Sequence, residues 1–328
     1  MRALLVGFFS TFGDLEVLAE VRRVLAAEGM AYDVGSYSTR LSAQLDSGVN
    51  IYTVDPQAYS HLLVVCGPFD RDLLARRGVD LDRFAHCVRV GVNLSMIADL
   101  ETYNPLDAMV GRDSNQWSLP DVSFLYRVGR RPLAGLCLAG PQQEYKSHQQ
   151  HEQAEDMLRR LISRAGMATL ELDTQWPPAH NRAAIATSED FESIVARLDV
   201  MLTTRLHGTV LSLKNGVPVI ALDSVAGGGK VSQQAREIGW PECFTVDAVD
   251  DAALDQALAR CLSPQARQKA IEVTAAASAR LSDFPAKLMA AMAAVPSGRP
   301  TGTEARKLSR RLANAADRAW ARIRRRRA

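Results

Sequence analysis

Residues 198–240 read LDVMLTTRLHGTVLSLKNGVPVIALDSVAGGGKVSQQAREIGW. The stretch parses as strand, turn, helix, turn, strand, glycine-rich loop, helix. Val200–Thr203 is an apolar strand, and Thr204-Arg205-Leu206-His207-Gly208 opens a helix that runs to Asn215. Val217–Leu222 is the next strand. Gly227-Gly228-Gly229-Lys230 then leads into a helix that ends at Ile238-Gly239. Strand–helix alternation with continuous apolar strands is the pattern of a parallel sheet covered on both faces. Arg205 and His207 therefore fall where a strand's carboxyl end meets a helix's amino end. Backbone N–H groups and the helix dipole favour an anion at such a place. An arginine adds a planar fork suited to carboxylate or phosphate. A histidine two residues on adds a group that exchanges a proton near neutral pH.

The same alternation extends outward over most of the chain. Strand-like runs are expected at Arg2–Val6, His61–Cys66, Cys87–Val92, Ala108–Gly111, Pro132–Leu138 and Ala168–Leu172. Helical patterns fall at Leu15–Ala27, Glu152–Arg164 and Asp190–Leu198, and two long ones follow at Asp250–Cys261 and Ser263–Met292. The polar stretch Arg127–Pro132, with a glycine and a proline, reads as a linker. The expected fold is α/β, with two facing Rossmann-like doubly wound domains and a ligand cleft at the carboxyl ends of the strands. Their expected spans are 1–126 and 133–293. A basic amphipathic tail, 301–328, follows a break at Ala294–Pro300.

The chain has 328 residues, 47% hydrophobic and 23% charged, which suits two folded domains. Its net charge is +2. Arg299–Arg327 holds eleven Arg or Lys against Glu304 and Asp317, so this segment is +9 and the preceding chain is left at −7. A mildly acidic body argues against nucleic-acid binding. The tail places Leu308, Leu312, Ala315, Ala316, Ala319 and Ile323 at helical spacing among arginines, which suits the surface of an anionic membrane; a solvated tail, or one docked on the acidic body, is the other reading. No apolar run is long enough to span a bilayer, and the start of the chain reads as a strand rather than a signal segment. Five cysteines without a C-x-x-C pair read as reduced thiols, so a cytoplasmic location is expected, with peripheral contact at the inner membrane face through the tail. No metal constellation is visible.

The glycine-rich loop is not a nucleotide-binding P-loop. That motif needs G-x-x-x-x-G-K-[ST], and Ser224 and Val231 stand at two of its required positions. The loop either closes its N–H groups around an anion or is a flexible turn beside a solvated Lys230. Asp14 and Glu16, at the start of the first helix, read either as helix capping or as carboxylates near acceptor hydroxyls. Arg112-Asp113 reads as a strand-end ion pair or as part of a site. The histidines His61, His86, His148, His151 and His180 read as structural or solvated.

Residues 198–240 resemble the polysaccharide pyruvyl transferase family. Its best-marked segment runs R-L-H-[AG], a short helix, G-x-P-V-I-A-L, a lysine and a helix ending in L/I-G. Here these are Arg205-Leu206-His207-Gly208, Gly216–Leu222, Lys230 and Ile238-Gly239. Weaker agreement covers about residues 3–262 through Gly7 with Phe12–Glu16, Gly111–Ser114 and Pro120–Leu125. One departure is the strand end Leu136–Gly140, which lacks the basic residue often found there; Arg127, Arg130, Lys146 and Arg182 are candidates to replace it. The resemblance implies a GT-B-like architecture and transfer of pyruvate from phosphoenolpyruvate, as co-substrate and with no other cofactor, to form a ketal on a glycan. It implies catalytic roles for His207, Arg205 and Asp14. It implies donor contacts from Arg205, His207, Gly208, Gly228, Gly229, Lys230 and Arg112. The alternatives are a nucleotide-sugar glycosyltransferase on the same architecture and a non-catalytic glycan-binding relative.

Overall fold

A computed structural model describes residues 1–46, 48–96, 99–110, 112–113, 118–140 and 149–293. The chain divides into two compact units, Met1–Gly129 and Arg130 onward. The 301–328 tail and Lys146 lie outside the described residues.

In the first unit, β1 (Arg2–Gly7), α1 (Phe12–Ala27), β2 (Ala31–Ser36), the short α2 (Thr39–Ser42) and β3 (His61–Val65) come first. β4 (Pro68–Phe69), α3 (Arg71–Arg76), β5 (Val88–Val92), β6 (Ser95–Met96) and β7 (Ala108–Val110) follow. β1, β2, β3, β5 and β7 form one sheet in the order β2-β1-β3-β5-β7, every pairing parallel, while β4 and β6 pair with each other. The apolar run of β1 divides by strand period. Ala3 and Leu5 pack with Val17, Leu18 and Val21 of α1, and Leu4 and Val6 pack with Phe69, Leu74 and Phe84 on the opposite face. The sheet is therefore covered on both sides, which is why its strands carry no polar alternation.

The second unit holds β8 (Leu133–Cys137), α4 (His151–Ala165), β9 (Ala168–Leu172), α5 (Ser188–Val195), β10 (Val200–Thr203) and α6 (Leu206–Lys214). It continues with β11 (Val219–Asp223), α7 (Lys230–Ile238), β12 (Cys243–Thr245), α8 (Asp251–Cys261), α9 (Pro264–Arg280) and α10 (Phe284–Ala293). Its sheet is parallel in the order β12-β11-β10-β8-β9. One core runs from Leu136 and Leu202 in the sheet to Leu158 and Leu161 of α4 with Leu254 and Leu258 of the adjoining α8, and to Val195 of α5 and Leu213 of α6.

Numbered along the chain, both sheets share one strand order, 2-1-3-4-5. This is the doubly wound order of flavodoxin-like sheets, not the 3-2-1-4-5-6 order of dinucleotide-binding sheets. Ligands in such sheets sit outside the carboxyl ends of the strands where the winding reverses, between the first and third strands. Those places are β1/β3 in the first unit and β8/β10 in the second. The single helix expected over Ser263–Met292 is two helices. The chain turns at Leu281–Asp283, and Pro285 takes the second position of α10, where a helix tolerates a residue without an N–H. No described helix is long and apolar enough to cross a membrane.

Candidate functional site

The reversal point of the second sheet is built from two threonines, an arginine and a buried aspartate. Thr203 Oγ1, at the end of β10, donates to the Cys137 carbonyl of β8 at 2.6 Å. Thr204 Oγ1 accepts from the Ala139 N–H at 2.7 Å. These bonds lock the two strand ends together just before the helix begins. Arg205 is the N-cap of α6 in extended conformation, and its N–H donates to Thr203 Oγ1 at 3.0 Å.

The Arg205 guanidinium turns back over β8. Its Nε donates to the Leu138 carbonyl at 2.7 Å, and its Nη2 pairs with Asp173 Oδ1 at 2.9 Å. Asp173 is 2% exposed and follows β9. Besides Arg205, its carboxylate accepts the N–H groups of Gln175 at 3.0 Å and Arg182 at 3.2 Å. The fork is thus oriented from two sides, and Nη1 has no hydrogen-bond partner among the described residues. Arg205 keeps 21% of its side chain exposed. Its charge also bears on the Cys137 thiol, which burial pushes up to about 11 against the opposing pull of the arginine.

Leu206, His207 and Gly208 form the first turn of α6, which has no side-chain cap. Their N–H groups are among those that a helix leaves unsatisfied at its start. The His207 side chain is exposed and makes no hydrogen bond among the described residues. Gly208 is fixed by packing, since a Cβ there would overlap Thr203 Oγ1, the same atom that ties β10 to β8.

Sequence reasoning passed over two side chains of this place. Asp173 carries no motif, and its position at a strand end is the only signal. His151 was read as structural or solvated. It is the first residue of α4, held near β11 because the Gln150 N–H donates to the Ser224 carbonyl at 2.8 Å. Burial pushes its imidazole below the usual histidine range, and the Arg205 charge pushes the same way. Of the candidates for the missing basic residue, Arg182 reaches this place through its backbone bond to Asp173. Arg130 lies before β8, at the amino ends of the strands, and Arg127 belongs to the first unit.

The glycine-rich loop does close around an anion, and the anion is the chain's own Asp223. This buried carboxylate ends β11 and accepts from Val225 N at 3.1 Å, Gly229 N at 2.7 Å, and Ser232 N and Oγ, each at 2.8 Å. Gly228, at φ +89°, donates instead to the Val225 carbonyl at 2.8 Å. Gly228 and Gly229 therefore shape the turn, and their N–H groups are already engaged. Lys230 is exposed at the first position of α7.

Asp14 and Arg112 belong to the first unit. Asp14 completes a capping box on α1. Its Oδ2 accepts from Ser10 N at 3.0 Å and Thr11 N at 2.9 Å, while its own N–H donates to Thr11 Oγ1. Arg112 pairs with Asp113 at 2.9 Å and Asp121 at 2.7 Å, and also meets Ser95 Oγ. Burial pushes the Asp121 carboxyl up, but Arg112, Ser123 and Asn93 outweigh this and hold it well below the usual range. Cys66 lies within reach of these charges, with its thiol pushed up to about 12 by burial. Phe9, Cys66 and Asn93, which follow β1, β3 and β5, all have positive φ without being glycine. Such strain gathers at functional sites. No group of His, Cys, Asp and Glu suited to a metal occurs among the described residues.

No curated protein matches the chain. Similar solved structures include a spinosyn rhamnosyltransferase complexed with thymidine diphosphate, at 13% identity and TM-score 0.31 over 85% of this chain and 96% of that one. A UDP-GlcNAc 2-epimerase from Methanocaldococcus jannaschii aligns at 10% identity and TM-score 0.31, over 81% and 94%. The glycotransferase of kitacinnamycin aligns at 10% identity and TM-score 0.30, over 83% and 94%. A family model described as polysaccharide pyruvyl transferase matches residues 135–224, from within β8 to just past β11. That stretch contains Asp173, Arg205, His207 and Gly208, so the segment that builds the reversal point is the one that resembles the polysaccharide pyruvyl transferase family.

Proposed function

We propose that the chain transfers pyruvate from phosphoenolpyruvate to two hydroxyls of one sugar, forming a ketal on a polysaccharide or lipid-linked glycan. The observation that carries this reading is the oriented Arg205 fork beside the uncapped start of α6. Both lie inside the segment that matches the family model. The donor is a multiply charged anion. Arg205 Nη1 and the first N–H groups of α6 are suited to hold its carboxylate or phosphate. The close fit of Gly208 against Thr203 lets that anion approach the backbone.

The chemistry asks for a proton on the donor's methylene carbon, a bond from a sugar hydroxyl to the adjacent carbon, and departure of phosphate. His207, exposed in the first turn of α6, is the group suited by its chemistry to exchange a proton with the donor. Lys230 adds a cation at the start of α7. In the first unit, Asp14 and Arg112 are engaged in a capping box and in ion pairs, so support for their direct roles is weaker.

The test is phosphate release from phosphoenolpyruvate with candidate glycans, with the product weighed by mass spectrometry. Phosphate release together with a ketal-sized mass gain is the expected result. Consumption of a nucleotide sugar instead would replace this reading with glycosyl transfer. Glycan binding without turnover would make the chain a binding relative.

A further inference from the structure

Positive charge gathers a second time in the second unit, at the amino ends of its strands. Arg130, Arg131 and Arg267 line a cavity of about 370 Å³ together with the apolar side chains of Pro132, Leu262 and Pro264. The acidic side chain in its wall is Asp199. All of these residues belong to the second unit, which begins at Arg130.

Hydrogen bonds fix the backbone around the cavity. Asp199 Oδ2 accepts the Leu133 N–H at 2.8 Å, and the Asp199 N–H donates to the Leu133 carbonyl at 2.9 Å. The Pro132 carbonyl accepts the Ala168 N–H at 3.0 Å. Arg131 precedes a proline, which holds its backbone extended. The Arg267 guanidinium is aimed by the Leu198 carbonyl, to which Nη2 donates at 2.5 Å, and Asp199 Oδ1 lies 3.7 Å from a guanidinium nitrogen. Arg130 and Arg131 are exposed, and neither has a hydrogen-bond or ion-pair partner among the described residues. Three guanidinium charges thus surround one carboxylate, an excess of +2 around a single cavity. Ser263 and Pro264 open α9 in the same wall, so the positive end of that helix adds to the charge.

We infer that this cavity is a second anion site, which takes a small molecule carrying a phosphate monoester. Guanidinium forks match phosphate oxygens in pairs. A phosphate monoester carries a charge of about −1.5 to −2 near neutral pH and so balances the excess, whereas one carboxylate would leave half of it. Pro132, Leu262 and Pro264 give the carbon-bearing part of the ester an apolar wall. The volume lies in the range of small-molecule cavities, too small for a polymer. The site is separate from the fork at the reversal point. Asp199 and Arg205 stand on either side of β10, and at about 3.3 Å per residue about 20 Å lies between them. The inference therefore does not depend on the ketal chemistry. A ligand held here would tie the segment that enters the second unit to α9 and to the start of β10.

Isothermal titration calorimetry of the full chain with phenyl phosphate, inorganic phosphate and citrate tests this at physiological salt. Three chains are compared: wild type, Arg130→Gln with Arg131→Gln, and Arg205→Ala. The basic residues beyond Arg299 are common to all three, so their contribution cancels. Phenyl phosphate should bind wild type, keep that binding in Arg205→Ala, and bind the double variant about tenfold or more weakly. Inorganic phosphate should bind more weakly than phenyl phosphate, because it forgoes the apolar wall. Melting of the double variant should match wild type, since both arginines are exposed and without partners. No binding to wild type, or equal affinity in wild type and the double variant, would overturn the site. Binding lost in Arg205→Ala alone would assign it to the reversal point and would overturn the site as well. Citrate bound more tightly than either phosphate would overturn the phosphate assignment.

Discussion

Replacing Asp173 by asparagine tests how the fork at the reversal point is held. The carboxylate is 2% exposed and receives three donors, Arg205 Nη2, Gln175 N and Arg182 N. Asparagine offers one acceptor oxygen and one NH2, so at least one of the three donors must meet another donor. Breaking a buried ion pair on one side costs about 3–5 kcal/mol. Arg205 keeps 21% of its side chain in solvent, so the lower end, about 3 kcal/mol, applies. For a unit of this size that lowers Tm by about 6–12 °C. The released fork should also lose its aim, and an ångström of misplacement can reduce turnover about 10²-fold. Thermal scans would measure the first effect, and phosphate release from phosphoenolpyruvate the second. Asp173→Asn in an Arg205→Ala background should cost much less than in wild type, because the pair is already broken. A variant that melts within about 2 °C of wild type, or strictly additive losses in the double variant, would refute the holding role.

Arg205→Ala and His207→Ala should each lower turnover about 10²-fold or more, with melting of the His207 variant unchanged; near-normal phosphate release by both would contradict their assignment. Gly208→Ala should destabilise the second unit by about 1–3 kcal/mol through overlap with Thr203, read from urea midpoints, and Thr203→Ser in the same chain should not restore it, because the overlapping Oγ1 remains. The Asp121 carboxyl is depressed by its partners, so its contribution to stability is fully present above the unfolded value of about 3.9 and is lost as pH falls toward the folded one. The gap in urea midpoint between wild type and Asp121→Asn should therefore narrow below about pH 4, and a constant gap would count against the ion pair. Removal of residues 301–328 should abolish salt-sensitive binding to anionic vesicles while leaving turnover on a soluble acceptor intact; indifference of the full chain to such vesicles at low salt would end the membrane reading.

The fold was legible wherever strands are covered on both faces, because burial on both sides demands an unbroken apolar run. β1, β3, β10 and β11 are such runs. β2 and β12 escaped because the first is polar in part, as in Ala31-Tyr32-Asp33, and the second is short, and not through their edge position, which β7 and β9 share. The break before α10 was written in Pro285, yet the surrounding alanines gave a continuous helical pattern. Arg205 and His207 were legible because strand end and helix start are adjacent in sequence. Asp173 and His151 were not, because the chain carries them to Arg205 from a neighbouring strand and from a separate helix. Asp223 was hidden for a different reason: a carboxylate as the last residue of an apolar strand looks like a strand ending in solvent, whereas it is 1% exposed.

Asp223 also changes what the triple glycine means. A loop of this composition after a parallel strand invites comparison with phosphate cradles, yet its donors face a carboxylate that is covalently part of the same turn. A tethered group competes at the effective concentration set by its attachment, and a free phosphate would have to overcome that advantage as well as charge repulsion. The turn is in this sense a receptor already occupied by its own inhibitor. Its glycines answer to the shape of a turn folded around its own carboxylate rather than to a bound phosphate.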